Sequence, residues 1–259
     1  MIDPFHLEQY NIHAVNYNRD IELFPVLKSI LMKITGKVLY YSPTDMGVNM
    51  IGNCVTSNEV LEDAGKKEIV RRFYNEMKNY KLGLTSIEIP NRIKMLMEKL
   101  KIDENYFDII SVAKEKLEEK NSHIVSLKLN SGKIITGKET ELLSPSSSCI
   151  INAIKVLSNI PDDIKLLPKN ILEPIKKTKN DDLHDNSKRL ELSEVLIALS
   201  ICSVTNPTVE NALNKLKELS MCDAYATYII PNSELKTLKK LDINIICEPK
   251  YYSDNDFIY

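Results

Sequence analysis

Between two helical patterns the chain carries Ser42-Pro43-Thr44-Asp45-Met46-Gly47-Val48-Asn49-Met50, followed at once by Gly52, Asn53 and Cys54. The Thr44 hydroxyl, the Asp45 carboxylate and the Asn49 amide are groups that orient a small polar ligand, and Gly47 permits close backbone approach. A loop that mixes Thr, Asp and Asn with Gly and apolar residues is packed and shaped, and rigid scaffolds carry function on such loops. The same residues suit a capped turn, with Thr44 or Asp45 capping a short helix. Residue types alone favour the turn, and they specify no reaction.

Other chemistries are narrower. The four histidines, His6, His13, His123 and His184, show no i,i+4 pairing and no H-E-x-x-H, so no zinc site is expected. The order strand, strand, helix, strand, helix over 124–178 is shared with the zinc deaminase fold. Those enzymes need a His or Cys with a Glu at one helix start and C-x-x-C at the next. Ser146-Ser147-Ser148-Cys149 and Pro168-Lys169-Asn170 stand there instead, which excludes an active zinc deaminase. Cys149, in the first turn of a predicted helix, is placed to become a nucleophile, but the following Ile150 and Ile151 favour burial. Cys222 is a second pocket candidate under the same argument, and Asn206, opening a helix before Pro207, is another. Seven glycines form neither G-x-x-x-x-G-K-[ST] nor G-x-G-x-x-G. A phosphate on a helix N-terminus would need Arg19, Arg71 or Arg72 beside it. Arg71 and Arg72, being adjacent, read as a solvated helix face.

A chain of 259 residues, 43% apolar and 27% charged, is a soluble globular protein able to bury a sizeable core. Its net charge of -2 argues against nucleic-acid and membrane partners. No apolar run reaches the roughly 18 residues that span a bilayer. Asp3, His6 and Glu8 at the N-terminus are unlike a secretory signal. Five widely spaced cysteines with no C-x-x-C pair imply reduced thiols and a cytoplasmic protein.

The elements that must position these groups follow from periodicity. Residues 23–34 form an amphipathic helix stopped at Gly36. Capping boxes at Thr56/Glu59 and Thr85/Glu88 open two more helices, the first carrying Ile69, Phe73, Met77 and Tyr80 on one face. A fourth helix runs from Asp103 to about Lys120. Val125, Leu127 and Leu129 then alternate with polar residues. Asn130-Ser131-Gly132 turns that strand into a second one, ending at Gly137. Ser144 and Pro145 are the N-cap and first residue of a helix to Leu157. Residues 164–167 are a short strand candidate, residues 168 onward a helix, and residues 178–189 a polar surface loop. Residues 192–203 are apolar almost all round, so that helix should be buried. A helix from Asn206 to about Ser220, a strand at 224–230, a helix at 233–240 and a strand at 243–247 complete the chain. The fold class is α/β (α+β). A mainly helical region, 1–120, precedes a small mixed-sheet α/β domain with helices packed on it, 122–251, and a tail, 252–259.

Several strings, taken together, resemble one bacterial family, the uncharacterised DUF 1846 family. They include 1–8, Asn16-Tyr17-Asn18-Arg19-Asp20, Phe24-Pro25-Val26-Leu27, Ser42 to Asn49, Ile134-Ile135-Thr136-Gly137-Lys138 and Asn152-Ala153-Ile154-Lys155. Residues 164–167, Ile171-Leu172-Glu173-Pro174-Ile175, Ile197-Ala198-Leu199-Ser200 and Thr205-Asn206-Pro207 continue in the same order. Members look longer, and this chain resembles only their C-terminal half. The resemblance implies an N-terminal half with a P-loop-like, phosphate-binding Gly-rich loop that has no counterpart here. A His and a Ser of the family pattern are replaced by Tyr225 and Ala226, and a small-residue run by Pro145-Ser146-Ser147-Ser148.

The preferred expectation is therefore a ligand-binding, partner-dependent half. Asn18, Arg19, Thr44, Asp45 and Asn49 would form one wall of its site, and a nucleotide would bind only once the N-terminal half is supplied. That half-protein or a second copy of the chain is the expected partner. Two alternatives stand beside it. One is a small hydrolase or transferase acting on a phosphorylated or nucleotide-like metabolite, with Asp45 as base or metal ligand and Arg19 as anion clamp. The other is an oligomerisation module using the 192–203 helix.

Overall fold

The structure, a computed structural model, describes residues 24–37, 58–184 and 189–252. The chain divides into two compact units, Met1–Phe107 and Asp108–Tyr259. The described part of the first is helical: α1 (Phe24–Thr35), α2 (Asn58–Lys81) and α3 (Glu88–Leu100). Gly36 ends α1 at φ 68°, and Gly83 ends α2 at φ 73°, the left-handed region that closes helices. Ile69, Val70, Phe73 and Tyr74 of α2 are buried, as are Ile93, Leu96 and Met97 of α3. Tyr80, expected on the α2 core face, is 43% exposed, and Tyr74 fills that role.

Two helix starts differ from expectation. Ser86, not Thr85, holds the head of α3, its hydroxyl accepting from the Glu88 N–H at 3.2 Å. Asp103 does not begin a helix. Its carboxylate accepts from the Asn105 N–H at 2.6 Å in a turn, and α4 starts at Asp108 (Asp108–Lys120). Asp favours local turns for this reason as readily as it caps helices. Thr56 of the other box lies outside the described residues.

The second unit is built on a four-stranded sheet of β1 (Ile124–Lys128), β2 (Ile134–Lys138), β3 (Asp223–Ala226) and β4 (Asn244–Cys247), in the order β2-β1-β3-β4. β1 is antiparallel to β2 and β3, and β3 is parallel to β4. Gly132, at φ 86°, turns the β1–β2 hairpin. β1 is central and buried on both faces. Ser126 on one face donates to the Ile109 carbonyl of α4 at 2.8 Å. Val125 and Leu127, on the other, join the main core with Cys149, Ile150, Ala153 and Ile154 of α5 (Pro145–Leu157). α5 lies so close to β2 that a Cβ on Gly137 would stand 2.1 Å from the Cys149 nitrogen.

The remaining helices are α6 (Lys169–Lys177), α7 (Leu192–Ser203), α8 (Pro207–Asn214) and α9 (Asn232–Lys240), with a short 3-10 turn over Lys215–Leu219. Three expectations are corrected here. Residues 164–167 form no strand; they make a corner that buries Leu166 and Leu167, which accounts for their apolar character. With that strand goes the deaminase-like order, since the next strand after β2 comes only at Asp223. The polar stretch after α6 is not all surface loop. Thr178–Asp182 forms a π-helical turn that buries Lys179, whose ammonium meets Glu194 at 2.9 Å and the Arg189 carbonyl at 3.3 Å. Its aliphatic stem makes that burial tolerable once the charge is paired. Finally, α7 is not buried all round. Leu192, Val195, Ala198 and Leu199 face the core, whereas Ile197 and Ile201 are 62% and 67% exposed.

Candidate functional site

Three helix starts in the second unit meet at one buried carboxylate. Ser144 precedes Pro145 and caps α5 as the sequence predicts, its hydroxyl accepting from the Ser147 N–H at 3.1 Å. That hydroxyl in turn donates to Glu234 Oε1. The same Glu234 oxygen accepts from the backbone N–H of Leu192, the first residue of α7, at 3.3 Å. Glu234 itself sits in the first turn of α9 and is 2% exposed. Helix starts present unpaired N–H groups and positive potential, which a carboxylate answers.

Among the described residues no ion pair reaches Glu234. Burial pushes its carboxyl above the usual carboxylate range. The Ser144 and Ser146 hydroxyls and the Leu192 N–H oppose that shift, and the charge of Glu191 adds to it. Ser146 faces the carboxyl without forming a hydrogen bond of good geometry, and the Tyr228 hydroxyl also lacks one. Burial, followed by the charge of Glu234, drives the Tyr228 phenol well up.

From Tyr228 the cluster continues outward along the carboxyl ends of β3 and β4, where open α/β sheets place ligands. The His123 ring stands 5.1 Å from that of Tyr228 and 4.4 Å from that of Tyr252. Its Nε2 donates to the Tyr252 carbonyl at 2.7 Å, and Nδ1 is buried without a hydrogen-bond partner among the described residues. The Tyr252 hydroxyl donates to Glu139, and Arg189 pairs with Glu139 at 3.1 Å while its guanidinium lies 5.6 Å from the Tyr252 ring centre. Burial and Glu139 raise the Tyr252 phenol.

Chemically, Glu234 is a buried carboxyl beside the Ser144 and Ser146 hydroxyls, and it occupies the electropositive place at these helix starts. The cluster therefore reads first as a clasp for three helices.

The leading sequence candidates, Asn18, Arg19, Thr44, Asp45 and Asn49, lie outside the described residues. The structure keeps Cys222 and Asn206 apart from the Glu234 cluster. Cys222 is buried just before β3, at the opposite end of that strand from Tyr228. Its sulfur is 3.8 Å from Asn130 Oδ1, and burial raises its thiol. Asn206 caps α8, accepting from the Thr208 and Val209 N–H groups at 3.0 and 3.4 Å. Cys149 is fully buried, its thiol pushed up to about 12 by burial, which makes it a core residue. The sequence does not single out Glu234, Tyr228 or Tyr252, and it raises His123 only as a metal ligand. A Glu three residues after a helix-opening Pro231 was visible, but only packing shows what it holds.

The chain belongs to the DUF1846 family. Residues 105–257 match "Domain of unknown function DUF1846, C-terminal" and residues 1–101 match "Domain of unknown function DUF1846, N-terminal". This corrects the expectation that only the C-terminal half is represented. The chain is similar to UPF0371 proteins of Clostridium botulinum (strain Langeland, 43% identity), Clostridium tetani (strain Massachusetts, 42%) and Clostridioides difficile (strain 630, 44%). Each alignment covers 98% of this chain and 53% of the relative. The chain thus spans about half the length of the curated relatives it matches.

Proposed function

We propose that this chain is a ligand-binding half of a DUF1846 protein that acts together with a second polypeptide. In this reading the second half brings the P-loop-like phosphate-binding region, and Asn18, Arg19, Thr44, Asp45 and Asn49 line the facing wall. The ligand is a nucleotide or phosphorylated metabolite, and the complex works in the cytoplasm. The observation that carries the reading is the length relationship: 98% of this chain aligns with 53% of each relative. The nucleotide class comes from the P-loop-like region that the family resemblance implies, and residues 42–50 supply polar groups that suit a small ligand.

The test is thermal stabilisation across a panel of nucleotides and sugar phosphates. The chain is measured alone and after co-expression with the portion of the Clostridium botulinum relative that it does not match. A shift confined to the pair and abolished by Asp45→Ala supports the reading. An equal shift for the chain alone would make it an independent binder.

A further inference from the structure

From Val195 to Val209 the chain carries no charged residue, through most of α7 and into α8. The face of α7 opposite the core presents Ile197 and Ile201 at 62% and 67% exposure, and Val204, directly after the helix, at 83%. These residues fall at i, i+4 and i+7 and so form one stripe along the helix. Ser200, between them, is also exposed and directs its hydroxyl to the Leu196 carbonyl at 2.8 Å, leaving the stripe without an outward donor. Lone exposed apolar residues are ordinary, but an aligned and uncharged row at this spacing is how a helix offers anchors to a partner.

We infer that the Ile197–Ile201–Val204 face is the docking surface for the polypeptide that makes up the rest of the relatives' length. The inference rests on the two-polypeptide reading above and names the surface that reading requires. The relatives' additional chain, 47% of their length beyond the 53% matched here, must pack somewhere. A stripe with no charge fits an apolar partner and gives a charged one nothing to pair with.

The experiment co-expresses the tagged full chain with the unmatched portion of the Clostridium botulinum relative and measures what co-purifies. The same measurement is made with Ile201→Glu, and with the milder double variant Ile197→Ser/Ile201→Ser. Both positions are exposed, so thermal melting of each variant should match the parent. The expected result is a stoichiometric complex whose yield falls by about tenfold or more with Ile201→Glu and less with the serine pair. A complex that forms equally well with every variant overturns the docking surface but not the two-polypeptide reading. No complex with the parent chain overturns both. Self-association of the parent that Ile201→Glu abolishes also overturns the inference, because a second copy then covers the face.

Discussion

Glu234 Oε1 accepts the Leu192 N–H at 3.3 Å across 42 positions of sequence, so the start of α9 supplies the acceptor for the first N–H of α7. With Ser144 donating to the same oxygen, α5 is tied in as well. One side chain thus sets the relative positions of three helices around the sheet end that carries Tyr228 and His123.

Its removal should be costly. Glu234→Ala leaves the buried Leu192 N–H without its acceptor and turns the Ser144 hydroxyl onto Ser147 Oγ, 2.9 Å away, a loss of about 2 kcal/mol. Urea unfolding at neutral pH measures it.

The pH dependence has a definite sign. A carboxyl raised in the folded state binds its proton more tightly there than when unfolded. Its contribution is full below the unfolded value of about 4.5 and is lost as pH rises through the higher folded value. Glu234→Gln keeps the acceptor oxygen and cannot ionise. Its stability should therefore fall less than the parent's between pH 5 and pH 8. Parallel stability curves for the two proteins would show that Glu234 does not titrate in this range.

Gly137 is set by contact, since a Cβ there would stand 2.1 Å from the Cys149 nitrogen and 2.5 Å from its Cα. Backbone cannot step aside as a flexible side chain can. Gly137→Ala should destabilise the second unit by about 3 kcal/mol, or prevent its folding, as seen by thermal unfolding.

Asn206→Ala should cost about 1 kcal/mol through the lost α8 cap, with Asn206→Asp close to the parent. Neither should change the thermal shift produced by a nucleotide. A changed shift would return Asn206 to the list of ligand residues.

Thiol labelling separates the cysteines. In the native protein at pH 8, Cys149 and Cys222 should resist alkylation because burial raises both thiols, whereas the half-buried Cys202 should react first among the described four. Mass mapping after brief iodoacetamide treatment reads the order.

Much of the second unit was legible beforehand. The β1–β2 hairpin follows from two-residue alternation and Asn130-Ser131-Gly132, and the head of α5 from Ser144-Pro145. The errors have a common origin. Residues 164–167 and α7 are apolar runs, and hydrophobicity does not say whether a run pairs as a strand, buries in a corner or awaits a partner. Asp103 and Thr85 are capping residues by type, yet the chain used Asp103 in a turn, and the N–H of Glu88 at the head of α3 meets Ser86 instead of Thr85.

Local sequence determined what depends on a few neighbouring residues: helix and strand periods, the left-handed glycines, the α5 and α8 caps and the hairpin turn. Only the tertiary structure decided that Glu234, Ser144 and Leu192 share a hydrogen-bond centre, that Lys179 is buried, and that one side of an apolar helix faces outward. Those facts depend on contacts between distant segments, where burial strengthens electrostatics and unpaired polar groups become expensive. No pattern within a single helix records which distant carboxylate will satisfy its first N–H.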